Sequence, residues 1–174
     1  LNSSGFDGSF FHDNGKTWYT SMLVDHRKNK FFGGIILQEY CKEEKQLVGE
    51  VFYLTKGTNL GLSEGPHLYK KNEYYYLLLA EGGTEYNHAA TVLRSKIITG
   101  PYEEHTENPV LSSRNDENHP IQKAGHASLV TTQFGDWYLV FLRGRPVTPR
   151  GRCVLGRETG IKEVIWHQDW PYLK

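Results

Sequence analysis

The sequence predicts an all-β chain built as blades of a β-propeller, and three observations carry that reading. Aromatic, strand-like runs alternate with turns rich in Gly, Asn, Asp and Lys along its 174 residues. Apolar residues keep no sustained helical period. One unit also recurs, a polar residue roughly eight places ahead of a turn that leads into an aromatic strand. The step from Trp18 to Tyr75 is 57 residues and that from Tyr75 to Trp137 is 62. A spacing of that size suits small antiparallel sheets repeated around a central channel.

In chain order, the first unit opens on Phe6-Asp7-Gly8-Ser9-Phe10, turns at Asp13-Asn14-Gly15 and enters a strand at 17–24 that carries Trp18-Tyr19. Its second hairpin is expected over 34–51, with a strand at 34–40. The second unit opens on Ser63-Glu64-Gly65-Pro66-His67, turns at Lys71-Asn72-Glu73 and continues as Tyr74-Tyr75-Tyr76 in a strand over 74–79. Its second hairpin is expected over 90–110, beginning with a strand at 90–93. The third unit opens on Gly125-His126-Ala127-Ser128, runs as a strand over 128–132, turns at Phe134-Gly135-Asp136 and returns over 137–142 through Trp137-Tyr138. Its second hairpin is expected over 153–166, with a strand at 160–166.

This makes about three blades of four strands, with no linker that divides the chain. Propellers close with typically four to eight blades, so residues 1–174 are expected to be part of a larger propeller. The start at Leu1, directly before a motif, reads the same way. Segments 112–120 and 143–152 are expected to be exposed loops, with Arg143, Arg145, Arg150 and Arg152 solvated.

Composition narrows the function classes. Lys plus Arg equals Asp plus Glu at 20 each, which gives no electrostatic case for nucleic acid or an anionic membrane. No apolar run approaches the ~18 residues of a membrane span, and homo-oligomerisation is compatible with the sequence. Cys41 and Cys153 form neither a disulfide framework nor a zinc site. There is no phosphate loop, zinc-binding histidine pair or nucleophile elbow. Most of the aromatics are expected to pack strands.

Equivalent positions of successive blades meet near one axis, so Asp7, Glu64 and His126 are expected to share a pocket. An acid against apolar walls has its charged form disfavoured, and a second carboxylate pushes its pKa further up. Glu64 and Asp7 therefore suit the acid pair of glycoside hydrolysis. The simpler readings are an Asp7 that satisfies turn amides, a Glu64 on a surface loop and a His126 satisfied in the core. Arg157-Glu158 also reads as a strand-end ion pair.

Several words in order carry a closer resemblance. They are Phe6-Asp7-Gly8-Ser9-Phe10-Phe11-His12-Asp13, Asp25-His26-Arg27, Gly33-Gly34-Ile35-Ile36-Leu37-Gln38-Glu39-Tyr40 and Ser63-Glu64-Gly65-Pro66-His67-Leu68-Tyr69. Ala80-Glu81-Gly82-Gly83-Thr84, His88-Ala89-Ala90-Thr91, Gly100-Pro101-Tyr102-Glu103, Gln122-Lys123-Ala124-Gly125-His126-Ala127-Ser128-Leu129-Val130 and Leu155-Gly156-Arg157-Glu158-Thr159 follow. Together they resemble the catalytic propeller of glycoside hydrolase family 43, in its β-xylosidase branch.

The resemblance implies a five-bladed propeller, of which the N-terminal blades and a C-terminal β-sandwich lie outside 1–174. It implies Glu64 as general acid, Asp7 as the aspartate that raises and orients that acid, and Arg157 as the arginine of the terminal sugar subsite. It sets His126 on the axis, in the vicinity of a structural calcium ion, and implies no organic cofactor. The general-base aspartate of such enzymes belongs to an Asn-Pro-Asp-Pro-type segment upstream of the Asp7 word, hence not in this chain.

The implied activity is an inverting, exo-acting β-1,4-xylosidase that releases xylose from xylo-oligosaccharides in xylan breakdown. An α-L-arabinofuranosidase on the same scaffold, or a non-catalytic sugar-binding propeller fragment, is the alternative. Uptake of short substrates before cleavage implies a cytoplasmic location. Two departures stand out: Gly8 occupies a position where Pro or Ala is commoner, and the loop 145–152 is shorter than in relatives.

Overall fold

The computed structural model describes residues 2–26 and 30–174; Leu1 and Arg27, the latter part of the resemblance, lie outside them. The architecture is all-β, with three antiparallel sheets in chain order. Blade A holds β1 (Gly5–Asp13), β2 (Lys16–Asp25), β3 (Lys30–Cys41) and β4 (Gln46–Thr55). Blade B holds β5 (Glu64–Lys71), β6 (Tyr74–Glu81), β7 (Ala89–Ser95) and β8 (Glu103–Glu104), with β9 (Leu111–Ser112) also paired to β7. Blade C holds β10 (Gln122–Thr131), β11 (Trp137–Gly144), β12 (Glu158–His167) and β13 (Trp170–Leu173).

The turns form as their residue types require. Asp13 pairs with Lys16, which leaves Asn14-Gly15 as a two-residue loop with φ of 49° and 77°. Positive φ at both positions is the hairpin turn that Asn-Gly favours. The outer edges depart from expectation. The third unit's second hairpin is β12–β13, starting at Glu158, so 153–157 is loop rather than strand. Blade B divides its outer edge between β8 and β9, and Ser112 belongs to the latter.

Strand β6 is the centre of the molecule, and its two-residue period explains its apolar run. Tyr76 and Leu78 join Ala127, Leu129, Leu139 and Phe141 in a core between blades B and C. Leu77 and Leu79 join Met22, Ile35 and Leu37 in a core between blades A and B. Alternate side chains point to opposite faces of a strand, so a strand covered on both faces needs apolar residues at every position. The outer faces differ: Phe10 on blade A is 48% exposed and Ile161 on blade C 63%.

Polar contacts fasten the blades in sequence. Ser9 Oγ donates to Pro66 O at 2.6 Å, and Asp13 takes Lys70 Nζ at 2.9 Å and the Tyr75 hydroxyl at 2.7 Å. The backbone N–H of Leu129 donates to the Tyr69 hydroxyl at 2.9 Å.

The segment 143–152 is not simply a solvated loop. Arg143 and Gly144 end β11, and Arg145 forms a two-pronged pair with Glu158 at 2.8 Å. Arg150 donates to Arg114 O at 2.9 Å, and the Tyr86 hydroxyl donates to Gly151 O at 2.6 Å. These bonds draw the loop back onto blade B. Arg157 and Glu158 do not pair with one another; each has a different partner.

Candidate active site

The first strand of each blade is interrupted where its polar residue stands. The β1–β2 register shifts between Phe6 and Ser9, the β5–β6 register between Glu64 and His67, and the β10–β11 register around Gly125. Positive φ accompanies each shift, at Asp7 (57°), Gly65 (55°) and His126 (43°). A bulge adds one residue against the partner strand and re-aims a side chain. Asp7 and His126 hold a conformation that L residues rarely adopt, and strained backbone of this kind concentrates at functional sites.

These bulges bring the three blades together. A Cβ on Gly65 would lie 2.8 Å from His126 Nε2, so the residue after Glu64 is seated against the His126 ring. Burial raises the Glu64 carboxyl above its ordinary 4.5, the Asp7 charge raises it further, and the nearby His126 opposes both. Burial lowers His67, with His126 adding to that effect and Asp7 opposing it. Asp7, Glu64 and His126 therefore share one electrostatic neighbourhood, in which the acid is biased toward holding its proton.

Arg157 stands further out. It lies in the exposed segment before β12, where its guanidinium donates to Thr84 O and comes within 3.4 Å of His88 Nδ1. A hollow of about 540 Å³ beside it is lined by Lys123, Arg152, Cys153 and Val154 among others. His88 bridges the two regions, its ring 6.5 Å from that of His126 and its Nδ1 3.3 Å from Lys123 O. Burial, followed by the Arg157 charge, lowers His88 from 6.5 to about 4, so the ring is neutral.

Gly125 has to be glycine here, because any Cβ would meet the His88 ring at 2.5 Å. His67, Glu81 and His88 all stand within the words that carry the family resemblance but have no role in the sequence reading. The available signal for Glu81 was cross-strand: Glu64 pairs with Ala80, so Glu81 is adjacent to the acid's strand.

Calcium prefers six to eight oxygen ligands. The imidazoles of His67 and His88 and the Glu64 carboxyl are the titratable neighbours of His126. No group of three or more His, Cys, Asp or Glu side chains among the described residues could hold a metal ion. The described residues thus offer no direct calcium cage.

Comparison with known proteins identifies the family of the chain. Residues 1–171 match the family described as glycosyl hydrolases family 43. The chain belongs to that family. The family 43 chain is 51% identical to the beta-xylosidase of Bacillus subtilis, covering 99% of this chain and 34% of the relative. It is also 51% identical to xylosidase/arabinosidase 43B of Humicola insolens, over 100% of this chain and 33% of that one. The crystal structure of xylan beta-1,4-xylosidase from Bacillus halodurans superposes with a TM-score of 0.94 at 55% identity, covering 99% of this chain and 33% of that chain. The chain thus spans about a third of the length of these relatives.

Proposed function

We propose that this family 43 chain forms part of an inverting, exo-acting glycosidase that releases terminal xylose from β-1,4-linked xylo-oligosaccharides. The observation that carries the reading is the protonation bias at Glu64, a carboxyl at a bulge of the blade's first strand, raised by burial and further by the Asp7 charge. In the proposed reaction the Glu64 proton passes to the glycosidic oxygen as the bond from that oxygen to the anomeric carbon breaks. A water attacks the anomeric carbon from the opposite face and gives its proton to a carboxylate base. The products are xylose and a shortened alcohol.

Asp7 orients Glu64 and keeps its pKa high, and Arg157 holds the sugar from the rim beside His88. With Asp7 in the role of raising and orienting the acid, the general base is the aspartate that the family resemblance puts outside 1–174. The exposed apolar faces of blades A and C, with Phe10 and Ile161, support further blades on either side, in a five-bladed whole. A calcium ion enters this reading only as a structural ion held through water near His126. Cytoplasmic cleavage of imported oligosaccharides goes with it, and fractionation of the source cells tests that placement.

The xylosidase/arabinosidase name of the Humicola insolens relative favours α-L-arabinofuranosidase as the second reading. Turnover of 4-nitrophenyl β-D-xylopyranoside and 4-nitrophenyl α-L-arabinofuranoside by the full-length protein, with Glu64→Ala alongside, tests both. Xyloside turnover that falls by roughly 10²–10⁴ in Glu64→Ala is the expected result. Faster turnover of the arabinofuranoside would favour the second reading. No turnover of either sugar would leave a sugar-binding propeller without catalysis.

A further inference from the structure

Glu81 ends β6 with 1% of its surface exposed, yet it is ionisable and takes no part in the chemistry above. A carboxylate this deep persists only where its oxygens are fully hydrogen-bonded. Four donors reach it. The Thr58 N–H and the Ser63 hydroxyl donate to Oε1, at 2.8 and 2.5 Å. The hydroxyls of Thr58 and Thr91 donate to Oε2, at 2.6 and 2.8 Å. A carboxylate accepts at both oxygens, whereas an amide would turn an NH₂ toward two of these donors.

The donors sit at informative places. Thr58 and Ser63 lie at the two ends of the loop that leads from β4 into β5, and Ser63 is bonded directly to Glu64. The N–H of Gly82 donates to Gly61 O at 2.9 Å and ties the middle of the same loop to the residue after Glu81. Gly57, at φ 84°, lies so close over Ser63 and the Glu81 carboxylate that no side chain fits there. The loop is wrapped around one buried carboxyl group, and its last residue leads directly into the acid.

We propose that Glu81 is a positioning residue for the catalytic acid: it fixes the β4–β5 loop so that the Glu64 carboxyl meets the glycosidic oxygen. The inference rests on the reading of Glu64 as general acid. Its signature is dependence on the leaving group, because a poor alcohol leaving group needs the proton and a dinitrophenolate does not.

The test compares kcat of the full-length protein on xylobiose and on 2,4-dinitrophenyl β-D-xylopyranoside, with Glu81→Gln, Ser63→Ala and Glu64→Ala. Glu81→Gln is expected to lower kcat on xylobiose by roughly 10–10²-fold, part of the 10²–10⁴ that an acid supplies, while the dinitrophenyl substrate stays within ~3-fold. Ser63→Ala removes a single donor, so the same split at smaller size is expected even if Glu81→Gln fails to fold. Equal losses on both substrates in the folded variants, or no loss on either, would overturn the positioning role. If Glu64→Ala itself shows no split, the acid assignment has failed, and the positioning role fails with it.

Discussion

At Glu64 the demands of chemistry and of folding oppose one another. Burial and the Asp7 charge raise its carboxyl above 4.5, so the folded protein favours the protonated form. The sign follows: this site destabilises nothing below 4.5, and stability is lost as pH rises through the raised value. Glu64→Gln is therefore expected to melt at a higher temperature than the unsubstituted protein at neutral pH, and at the same temperature well below 4.5, while losing acid catalysis. His88 has the opposite dependence. Its ring is depressed from 6.5 to about 4 by burial and Arg157, so stability is present above 6.5 and is lost as pH falls toward 4. Denaturant titrations across that range should show a loss on the order of 1–3 kcal/mol, with a shallower slope in His88→Gln. Glu64 and Asp7 were legible in the sequence because the unit repeats around them. Glu81 and His88 were not, because their partners come from other elements of the fold, as in Thr91 to Glu81 at 10 residues, Thr58 to Glu81 at 23 and Lys123 to His88 at 35.

Among the elements, the bulged first strands set the geometry of the site. Gly65 combines a φ of 55° with seating against the His126 ring, where an added Cβ would lie 2.8 Å from Nε2. Gly65→Ala is thus expected to destabilise by about 1–3 kcal/mol, from the left-handed backbone and the displaced ring together. It should also lower turnover, since Glu64 and His126 would move apart; unchanged melting and kinetics would show that the contact is relaxed. The hairpin turns were readable because Asn14-Gly15 announces its own backbone. The bulges were not, since one extra residue shifts the two-residue period and makes a strand look like a loop. Register shifts also blur β4, whose burial does not alternate cleanly, whereas β13 was hidden by its four-residue length and by Pro171.

Across the whole molecule, the three-blade count was legible from the 60-residue recurrence, but the fastening between blades was not, because it depends on hairpin tips far apart in sequence. Arg94 of blade B shows this. Its Nη1 donates to Gln168 O at 2.8 Å and to Asp169 O at 2.9 Å, both at the tip of the β12–β13 hairpin, and its guanidinium lies 3.9 Å from the Trp170 ring centre. The Tyr76 hydroxyl donates to Asp169 O at 2.7 Å beside it. Arg94→Ala would leave Gln168 O without its guanidinium donor, leave Asp169 O with the Tyr76 hydroxyl alone, and remove the cation from Trp170. The expected loss is about 2–4 kcal/mol. Lysine restores the charge but not the planar guanidinium, whose Nη1 serves both carbonyls while its Nε donates to Glu103, so Arg94→Lys should recover less than half of that loss. Asp13 fastens blade A to blade B through Lys70 and Tyr75, on the other face of β6, and shares no partner with Arg94. Because the cores on the two faces of β6 meet in one strand, the blades should unfold as a single unit. Asp13→Ala and Arg94→Ala should then add within about 0.5 kcal/mol and shift one common transition. A scan in which the double variant splits into two transitions would show instead that blade B does not couple its neighbours.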